Sequence, residues 1–415
     1  MSTSYSRKAV AVGAIGNILE WYDFAIYGYF ATSIGRVFFP KEDPIAQVLL
    51  AFGIFAIGYL MRPLGGIVVG HIGDRISRQA ALTVSIVAMA IPTFLVGVMP
   101  GYDTIGLAAP ILLTLCRTIQ GLSVGGEYTT SLIYMVEQAP KNKRGFVGAL
   151  ACSSATMGML LGSGVGAGLG LILSPESLDA WGWRIPFLFG LVIGLAGYLL
   201  RRQSHVQPNR SELTTNPLVE TLKNHRSLLI KIAGLSVFHA IAFYLMFVYI
   251  VSWLQLVDNI APSKSLEINS ISMIVLIGVM LLAGSISDHI GRKPVLITAV
   301  IAAIIFSIPL LTGMYHHSDW VVQLSQLGFS LIIGAFAGTM PSFMVETAPS
   351  HVRATAVALG YNLTLGVIGG LTPLVATWLI HRTENDLIPA FMIAAAAAIS
   401  LIAMTFISET HNKDN

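Results

Sequence analysis

The chain alternates between long apolar segments and short polar turns. A segment of about 20 mostly apolar residues is long enough to cross a bilayer as a helix. The pattern predicts twelve such segments, and we therefore expect an all-α membrane protein with twelve transmembrane helices. The segments lie at residues 9–34, 46–71, 80–100, 105–136, 145–172, 184–201, 228–257, 267–286, 294–314, 321–345, 355–381 and 387–408.

Composition excludes most other classes of protein. Hydrophobic residues make up 54% of the chain and charged residues 11%, whereas soluble domains carry about 25% charged residues. The two cysteines, Cys116 and Cys152, form neither a disulfide framework nor a metal-binding motif. The sequence contains no phosphate-binding loop, zinc-protease motif or nucleophile elbow. We therefore expect that the chain is not an enzyme and that it binds no cofactor, no metal and no nucleic acid.

The positive charges predict the orientation. Twelve spans place the N-terminus, the C-terminus and the even-numbered turns on one side, which holds seventeen of the 24 basic residues. Basic residues are enriched in cytoplasmic loops. Both termini are therefore expected in the cytoplasm.

Two repeated motifs divide the chain into halves. Residues 70–79 and 284–293 share Gly, Asp and Arg at an offset of 214, and residues 135–140 and 344–349 share Met-Val-Glu and Ala-Pro at an offset of 209. An even number of spans separates the copies, so the halves are parallel repeats. Transporters built this way bind substrate near the bilayer midplane, between the repeats. The predicted divisions are an N-terminal six-helix bundle at 1–201, a cytoplasmic linker at 202–226 and a C-terminal six-helix bundle at 227–415.

Two acidic residues lie inside the first apolar segment. Glu20 and Asp23 are spaced i, i+3 and share one helix face. A rise of 1.5 Å per residue places Asp23 about 21 Å from the cytoplasmic start of its span and Arg117 about 18 Å from the start of the fourth. Asp23 and Arg117 can therefore lie at similar depth. Carboxylates inside a membrane usually have a partner or a water-filled cavity, and they mark functional sites.

These motifs resemble the major facilitator superfamily over nearly the whole chain. The pattern G-x-x-x-D-R-x-G-R follows the second span with a departure at Ser77, and it recurs after the eighth with a departure at His289. The segments GNILEWYDFAIYG (16–28), RPLGG (62–66) and RTIQGLSVGGEY (117–128) are similar to the metabolite:proton symporter family. The resemblance implies a bacterial inner-membrane symporter for proline, betaines, dicarboxylates, citrate or shikimate-like acids.

The proton-coupling candidates are Asp23, Glu20 and Arg117. The resemblance extends to proton-coupled sugar transporters, in which an Asp of the first span pairs with an Arg of the fourth. It implies the same pairing for Asp23 and Arg117, which occupy the matching positions. Either this pair switches as proton and substrate compete for its charges, or it is a permanent structural ion pair. Glu20 is the alternative proton carrier, or a hydrogen-bonded anchor to the fourth or fifth span. Glu127 is expected to be a structural partner of Arg62, with a relay or gate role as the alternative.

Neutral polar and aromatic side chains supply the remaining substrate-binding candidates. Arg117 can also meet a substrate carboxylate, because its planar guanidinium suits that geometry. The C-terminal half has no charged residue in the middle of its spans, and His239 is expected to be a packing residue. The substrate-binding candidates are Arg117, Tyr27, Gln120, Tyr244, Trp253, Tyr361 and Asn362.

Acid–base motifs at the cytoplasmic helix ends predict a gate. Their repetition favours a charge network that latches the outward-facing state, and the alternative is that these residues serve only topology and solubility. The gate candidates are Asp74, Arg75, Arg78, Glu137, Arg144, Asp288, Arg292, Glu346 and Arg353.

The predicted function is import of a small polar metabolite by proton symport through alternating access. The small number of buried cations favours a substrate with one carboxylate, such as an amino acid, a betaine or a monocarboxylate. The expected partners are this substrate, protons and the lipid bilayer, and the expected state is a monomer. The alternatives are a proton-coupled exporter of drugs or siderophores, an uncoupled uniporter and a nutrient sensor.

Overall fold

A computed structural model describes residues 7–40, 43–65, 68, 78–123, 127–202, 217–315 and 318–410. Over these residues the chain forms helices and turns and no β-strand, which confirms the all-α prediction. The helices up to residue 202 are α1 Arg7–Tyr29, α2 Ala31–Phe38, α3 Pro44–Leu60, α4 Arg78–Val98, α5 Ala108–Ser123, α6 Glu127–Gln138, α7 Arg144–Gly170 and α8 Arg184–Arg202.

The second part of the chain continues the same pattern. The helix α9, Pro217–Asn224, falls within the predicted linker, whose residues 203–216 lie outside the described ranges. The helices that follow are α10 Arg226–Tyr244, α11 Ile250–Leu256, α12 Pro262–Ile290, α13 Arg292–Met314, α14 Asp319–Thr347, α15 Arg353–Leu363, α16 Gly370–Thr383 and α17 Ile388–Thr405. Short turns of helix lie at Tyr102–Ile105, Lys141–Lys143, Pro175–Ser177, Leu178–Gly182, Leu245–Tyr249 and Thr364–Gly369.

Eight of the described helical segments are long and apolar enough to cross a membrane. Helices also lie over the other four predicted spans: α1 with α2, α4, α5 with α6, and α8. The eight segments are Pro44–Gly65, Lys141–Gly170, Arg226–Leu256, Pro262–Ile290, Arg292–Met314, Asp319–Thr347, Arg353–Thr383 and Ile388–Thr405.

Three helix pairs join the two predicted halves. Helix α7 packs against α12 and α14, and α3 packs against α16. Small residues allow membrane helices to approach closely. At Gly145 of α7 a methyl group would collide with the carbonyl of Gly284 on α12, and at Gly370 of α16 it would lie 2.6 Å from Tyr59 Cβ on α3. Lys141, Arg144, Lys293 and Arg353 mark one end of the bundle, which is called the basic end below.

Two spans contain a turn of π-helix. The turn Leu245–Tyr249 joins α10 to α11, and the turn Thr364–Gly369 joins α15 to α16. A π-helical turn disturbs the regular backbone hydrogen bonds and is frequent at functional sites. In the first turn, side chains bond the backbone: Gln326 donates to the carbonyl of Met246, and Asn269 Nδ2 donates to the carbonyl of Phe247 at 3.3 Å.

Candidate functional site

A buried polar network surrounds Asp23. Arg117 Nη1 of α5 lies 3.4 Å from Asp23 Oδ2, and Gln120 Nε2 donates to Asp23 Oδ1 at 3.0 Å. The Thr93 hydroxyl of α4 also donates to Asp23 Oδ1. Helices α1, α4 and α5 thus converge on one carboxylate. The pairing of Asp23 with Arg117 agrees with the depth argument; Thr93, which follows Pro92 inside α4, was not among the predicted residues.

Arg117 is fully buried, and its side chain is held by aromatic faces. The guanidinium carbon lies 4.4 Å from the centre of Tyr27 and 4.7 Å from that of Phe24. Its Nη1 also donates to Gln120 Oε1 at 3.0 Å, while Nε and Nη2 have no hydrogen-bond partner among the described residues. A buried donor without a partner costs free energy. The two free nitrogens suit a carboxylate, because a guanidinium fork can bind both of its oxygens.

Glu20 forms a second buried ion pair. Arg62, two residues after the end of α3, donates from Nη2 to Glu20 Oε1 at 2.7 Å, and both side chains are less than 10% exposed. Arg62, on the second predicted span, is thus one partner of Glu20, and the anchor to the fourth or fifth span stays a prediction. The Glu127 side chain, predicted to pair with Arg62, lies outside the described part of the chain, and its role stays a prediction.

Aromatic side chains connect the two halves at the level of Arg62. Tyr59 of α3 meets Tyr244 of α10 with ring centres 5.4 Å apart, and Tyr128 of α6 stacks on Tyr361 of α15 at 5.8 Å. Both contacts cross between the predicted halves.

These two contacts belong to a closed series of neighbours, which we call the aromatic circuit. Its members are Tyr59, Tyr244, Phe243, His239, Tyr361, Tyr128 and Trp21, and successive ring centres lie 5.3–6.5 Å apart. The guanidinium of Arg62 fills the remaining gap, 4.7 Å from the centre of Tyr59 and 5.3 Å from Trp21. The circuit thus crosses between the predicted halves at two of its contacts, and Arg62 links it to Glu20.

The other substrate-binding candidates divide between this region and more distant positions. Tyr27 lies against Arg117, and its hydroxyl donates to the carbonyl of Ala51 at 3.0 Å. The Trp253 indole N–H donates to the carbonyl of Asp386 at 3.1 Å, in the turn between α16 and α17, which places Trp253 at the end opposite the basic end. Asn362 is half-buried beside Tyr361 in sequence.

A compact charge network occupies the basic end. Asp288 of α12 accepts hydrogen bonds from the backbone N–H groups of Gly145 and Phe146, at 2.8 and 2.9 Å, at the start of α7. Arg292 Nη1 lies 2.8 Å from Asp288 Oδ1, and Arg292 Nη2 lies 3.0 Å from Glu346 Oε1. The bonds to Gly145 and Phe146 join the two predicted halves.

A second contact crosses the halves beside this network. Arg353 Nη1 donates to Glu137 Oε1 at 2.7 Å, and Arg144 lines the same small cavity, which is also bounded by Glu346 and Thr410. Asp74 and Arg75 lie outside the described residues, as does the side chain of Arg78, so their gate roles stay predictions.

One group of side chains has the composition of a metal site. The ligand atoms of Glu220, His225 and His351 lie within 4.8 Å of one another, in a partly exposed position near the basic end. Among the described residues, this is the one group of three or more possible metal ligands. His351 Nε2 lies 3.7 Å from Glu220 Oε1, which is an ordinary charge contact and does not by itself require an ion.

Comparison with known proteins agrees with this architecture. The chain is 36% identical to the glycine betaine/proline/ectoine/pipecolic acid transporter OusA of Dickeya dadantii, over 98% of this chain and 84% of that protein. It is 35% identical to the proline/betaine transporter of Escherichia coli K12 over the same shares. The solved structure of the proton:xylose symporter XylE matches with a TM-score of 0.77 at 19% identity, covering 100% of this chain and 98% of that one.

The family assignment rests on a family model as well as on these relatives. The model of the Major Facilitator Superfamily matches residues 14–373, which include both ion pairs, the aromatic circuit and the charge network. The similarity predicted from the motifs is thereby confirmed: the chain belongs to the Major Facilitator Superfamily, and it is a multi-pass membrane transporter and not an enzyme.

Proposed function

We propose that this protein imports a small zwitterion of the proline and betaine class together with protons. The observation that carries the proposal is the buried Asp23–Arg117 pair, in which two nitrogens of Arg117 have no hydrogen-bond partner in the described part of the chain. Relatives named as proline/betaine transporters, at 35% and 36% identity over nearly the whole chain, support the substrate class. The alternatives of export and uncoupled transport are outcomes of the test below.

The charges inside the membrane favour a substrate with one carboxylate. Arg62 and Arg117 are the basic residues that lie away from the ends of the predicted spans. Arg62 is already paired with Glu20 at 2.7 Å and has one nitrogen, Nε, without a hydrogen-bond partner among the described residues, whereas Arg117 lies 3.4 Å from Asp23 and has two such nitrogens. A single substrate carboxylate can be bound by the free fork of Arg117 without leaving an unpaired charge.

Proton coupling follows from competition for Arg117. While Asp23 is ionised, Arg117 is its counter-ion; protonation of Asp23 removes that partner and makes the guanidinium available to the substrate carboxylate. Buried charges are costly unless they are paired, so proton and substrate are expected to bind together and leave together. Gln120 and Thr93 hold the Asp23 carboxyl in place in both states. Glu20 is the alternative carrier.

The proposal includes the wider architecture. We place twelve spans in a bacterial inner membrane, both termini in the cytoplasm, a linker at 202–226 and six-helix bundles at 1–201 and 227–415 that rock about the central site. The contacts of Asp288 and Glu137 across the halves then act as the cytoplasmic gate of a protein that works as a monomer.

Uptake by proteoliposomes tests the proposal. Labelled proline and glycine betaine are first measured in counterflow and then with an inward proton gradient, for the parent and for Asp23→Asn. We expect the variant to retain counterflow and lose gradient-driven accumulation, because it can no longer exchange a proton. The matched control is Glu267→Gln, an exposed acid paired with Lys264 at 3.0 Å, which should behave like the parent.

Two results would contradict the proposal. If the parent accumulates neither substrate under the gradient but catalyses counterflow, transport is uncoupled. If Asp23→Asn accumulates substrate as the parent does, the pair with Arg117 is a permanent structural contact and the coupling residue lies elsewhere.

A further inference from the structure

The guanidinium of Arg62 occupies what is chemically a binding site for an organic cation. It lies 2.7 Å from the Glu20 carboxylate and 4.7 Å from the ring centres of both Phe24 and Tyr59, with Trp21 at 5.3 Å. Three aromatic faces and one carboxylate are the groups that bind alkylammonium ions in proteins. Any cation of similar size would find the same partners there.

This site lies where the halves meet. Tyr59 contacts Tyr244 of the C-terminal half, and a methyl group at Gly370 of α16 would lie 2.6 Å from Tyr59 Cβ. Trp21, on the other flank, contacts Tyr128, which stacks on Tyr361 of the C-terminal half. A cation bound beside Glu20 would therefore be enclosed by elements that separate when the halves rock.

We propose that Glu20, Trp21, Phe24 and Tyr59 bind the cationic group of the substrate, and that Arg62 competes with the substrate for this site. The ammonium group of the substrate displaces the guanidinium from Glu20 and the aromatic faces. The displaced guanidinium then shares the substrate carboxylate with Arg117, since both guanidinium carbons lie 4.7 Å from the centre of the Phe24 ring. This inference rests on the proposed function, since it takes the substrate to be a zwitterion.

Charge balance makes this exchange selective. A zwitterion brings a cation for Glu20 and a carboxylate that Arg62 shares with Arg117, so each buried charge keeps a partner of opposite sign. A cation without a carboxylate would leave Arg62 buried without a counter-ion, and an anion without a cationic group cannot replace Arg62 on Glu20. Unpaired buried charges are strongly unfavourable. Arg62 therefore acts as a specificity-determining residue that excludes simple cations.

Choline and glycine betaine provide the test, because they share a trimethylammonium group and choline has a hydroxyl in place of the carboxylate. Binding of each is measured by displacement of labelled betaine from the purified protein. We expect the parent to discriminate against choline by at least about 100-fold. In Arg62→Gln the discrimination should fall at least tenfold, because choline binding improves while betaine binding weakens.

Two further variants keep the result interpretable. In the double variant Glu20→Gln/Arg62→Gln, which removes both buried charges, discrimination should fall as in the single variant while both ligands bind more weakly. Arg184→Gln is the matched control: Arg184 also stacks on an indole, Trp183, at 4.6 Å, but it donates to the carbonyls of Gly97 and Met99. Its removal should leave the ratio unchanged.

A merely structural Arg62 gives a different pattern. Its replacement would weaken the binding of both ligands by a similar factor, so the ratio of choline to betaine affinity would stay unchanged in the single and double variants. That result overturns the inference while the proposed function stands. If the parent binds neither betaine nor proline, the proposed function fails and this inference fails with it.

Discussion

Replacing Asp288 by Ala should open the basic end of the bundle. Asp288 accepts hydrogen bonds from the N–H groups of Gly145 and Phe146, at 2.8 and 2.9 Å, and these bonds link α12 to α7 across the predicted halves. They can exist only while the halves are in contact at this end. The variant therefore loses an interaction that favours one conformation over the other.

The size of the shift follows from these two bonds. A hydrogen bond to a charged group contributes about 1.5–3 kcal/mol, so the pair contributes roughly 3–6 kcal/mol to closure at this end. Since 1.4 kcal/mol changes an equilibrium constant tenfold, the ratio of molecules open at the basic end to molecules closed there should rise by about 100-fold or more. Arg292 keeps a partner in the variant, because Glu346 lies 3.0 Å from its Nη2.

Cysteine accessibility measures this population. Ser342 is fully buried where α14 faces Gly148 of α7, and a cysteine placed there should react with a maleimide only when the basic end opens. We expect the labelling rate of Ser342→Cys to rise about 100-fold when Asp288→Ala is added. Asp319→Asn is the control, because Asp319 is exposed at the other end and lies 3.9 Å from Lys264. An unchanged labelling rate in a folded Asp288→Ala protein would refute this account of the gate.

Two other predictions concern packing and the second contact of the gate. Gly158→Ala should lower the thermal unfolding midpoint, since its methyl group would collide with the carbonyl of Ile18 and overpacking costs about 1–3 kcal/mol. The control Gly164→Ala should leave the midpoint unchanged, because no atom lies within 4 Å of the new methyl group. Equal shifts in the two variants would contradict this prediction. Glu137→Gln should change the transport rate by no more than about fivefold, because Glu137 is 39% exposed and exposed ion pairs contribute about 0.2–1 kcal/mol. A change in transport rate well beyond fivefold would show that the Glu137–Arg353 contact is stronger than its exposure indicates.

The sequence predicted the depth of the central residues in the membrane better than the neighbouring helix that each side chain contacts. A fixed rise per residue placed Asp23 and Arg117 at similar depth, and the two side chains are 3.4 Å apart. Glu20 and Asp23 are spaced i, i+3 on α1, but Glu20 bonds Arg62, which follows α3, and Asp23 bonds Arg117 on α5. Spacing along one helix gives no information about which neighbour lies beside each position, because that depends on how the helices pack.

The aromatic circuit lay beyond prediction for a related reason. The pattern proposed Tyr244 and Tyr361 separately, as polar groups of the C-terminal half, but their contacts with Tyr59 and Tyr128 are set by the docking of the two halves. The π-helical turns have little local signal: the turn Thr364–Gly369 contains two glycines, whereas Leu245–Tyr249 contains no residue that marks it. Both turns depend on tertiary contacts.

The tail that follows α17 reaches the proposed gate directly. Glu409 accepts from the N–H groups of Arg292 and Lys293, at 3.1 and 2.8 Å, at a backbone turn where Gly291 has a φ of 99°. Thr410 donates to Glu346 Oε2 at 2.6 Å. A fluorophore attached just beyond Thr410 would therefore report on gate opening in real time, while a fusion partner or truncation at this point would alter the motion under study. Expression tags for transport assays belong at the other end of the chain.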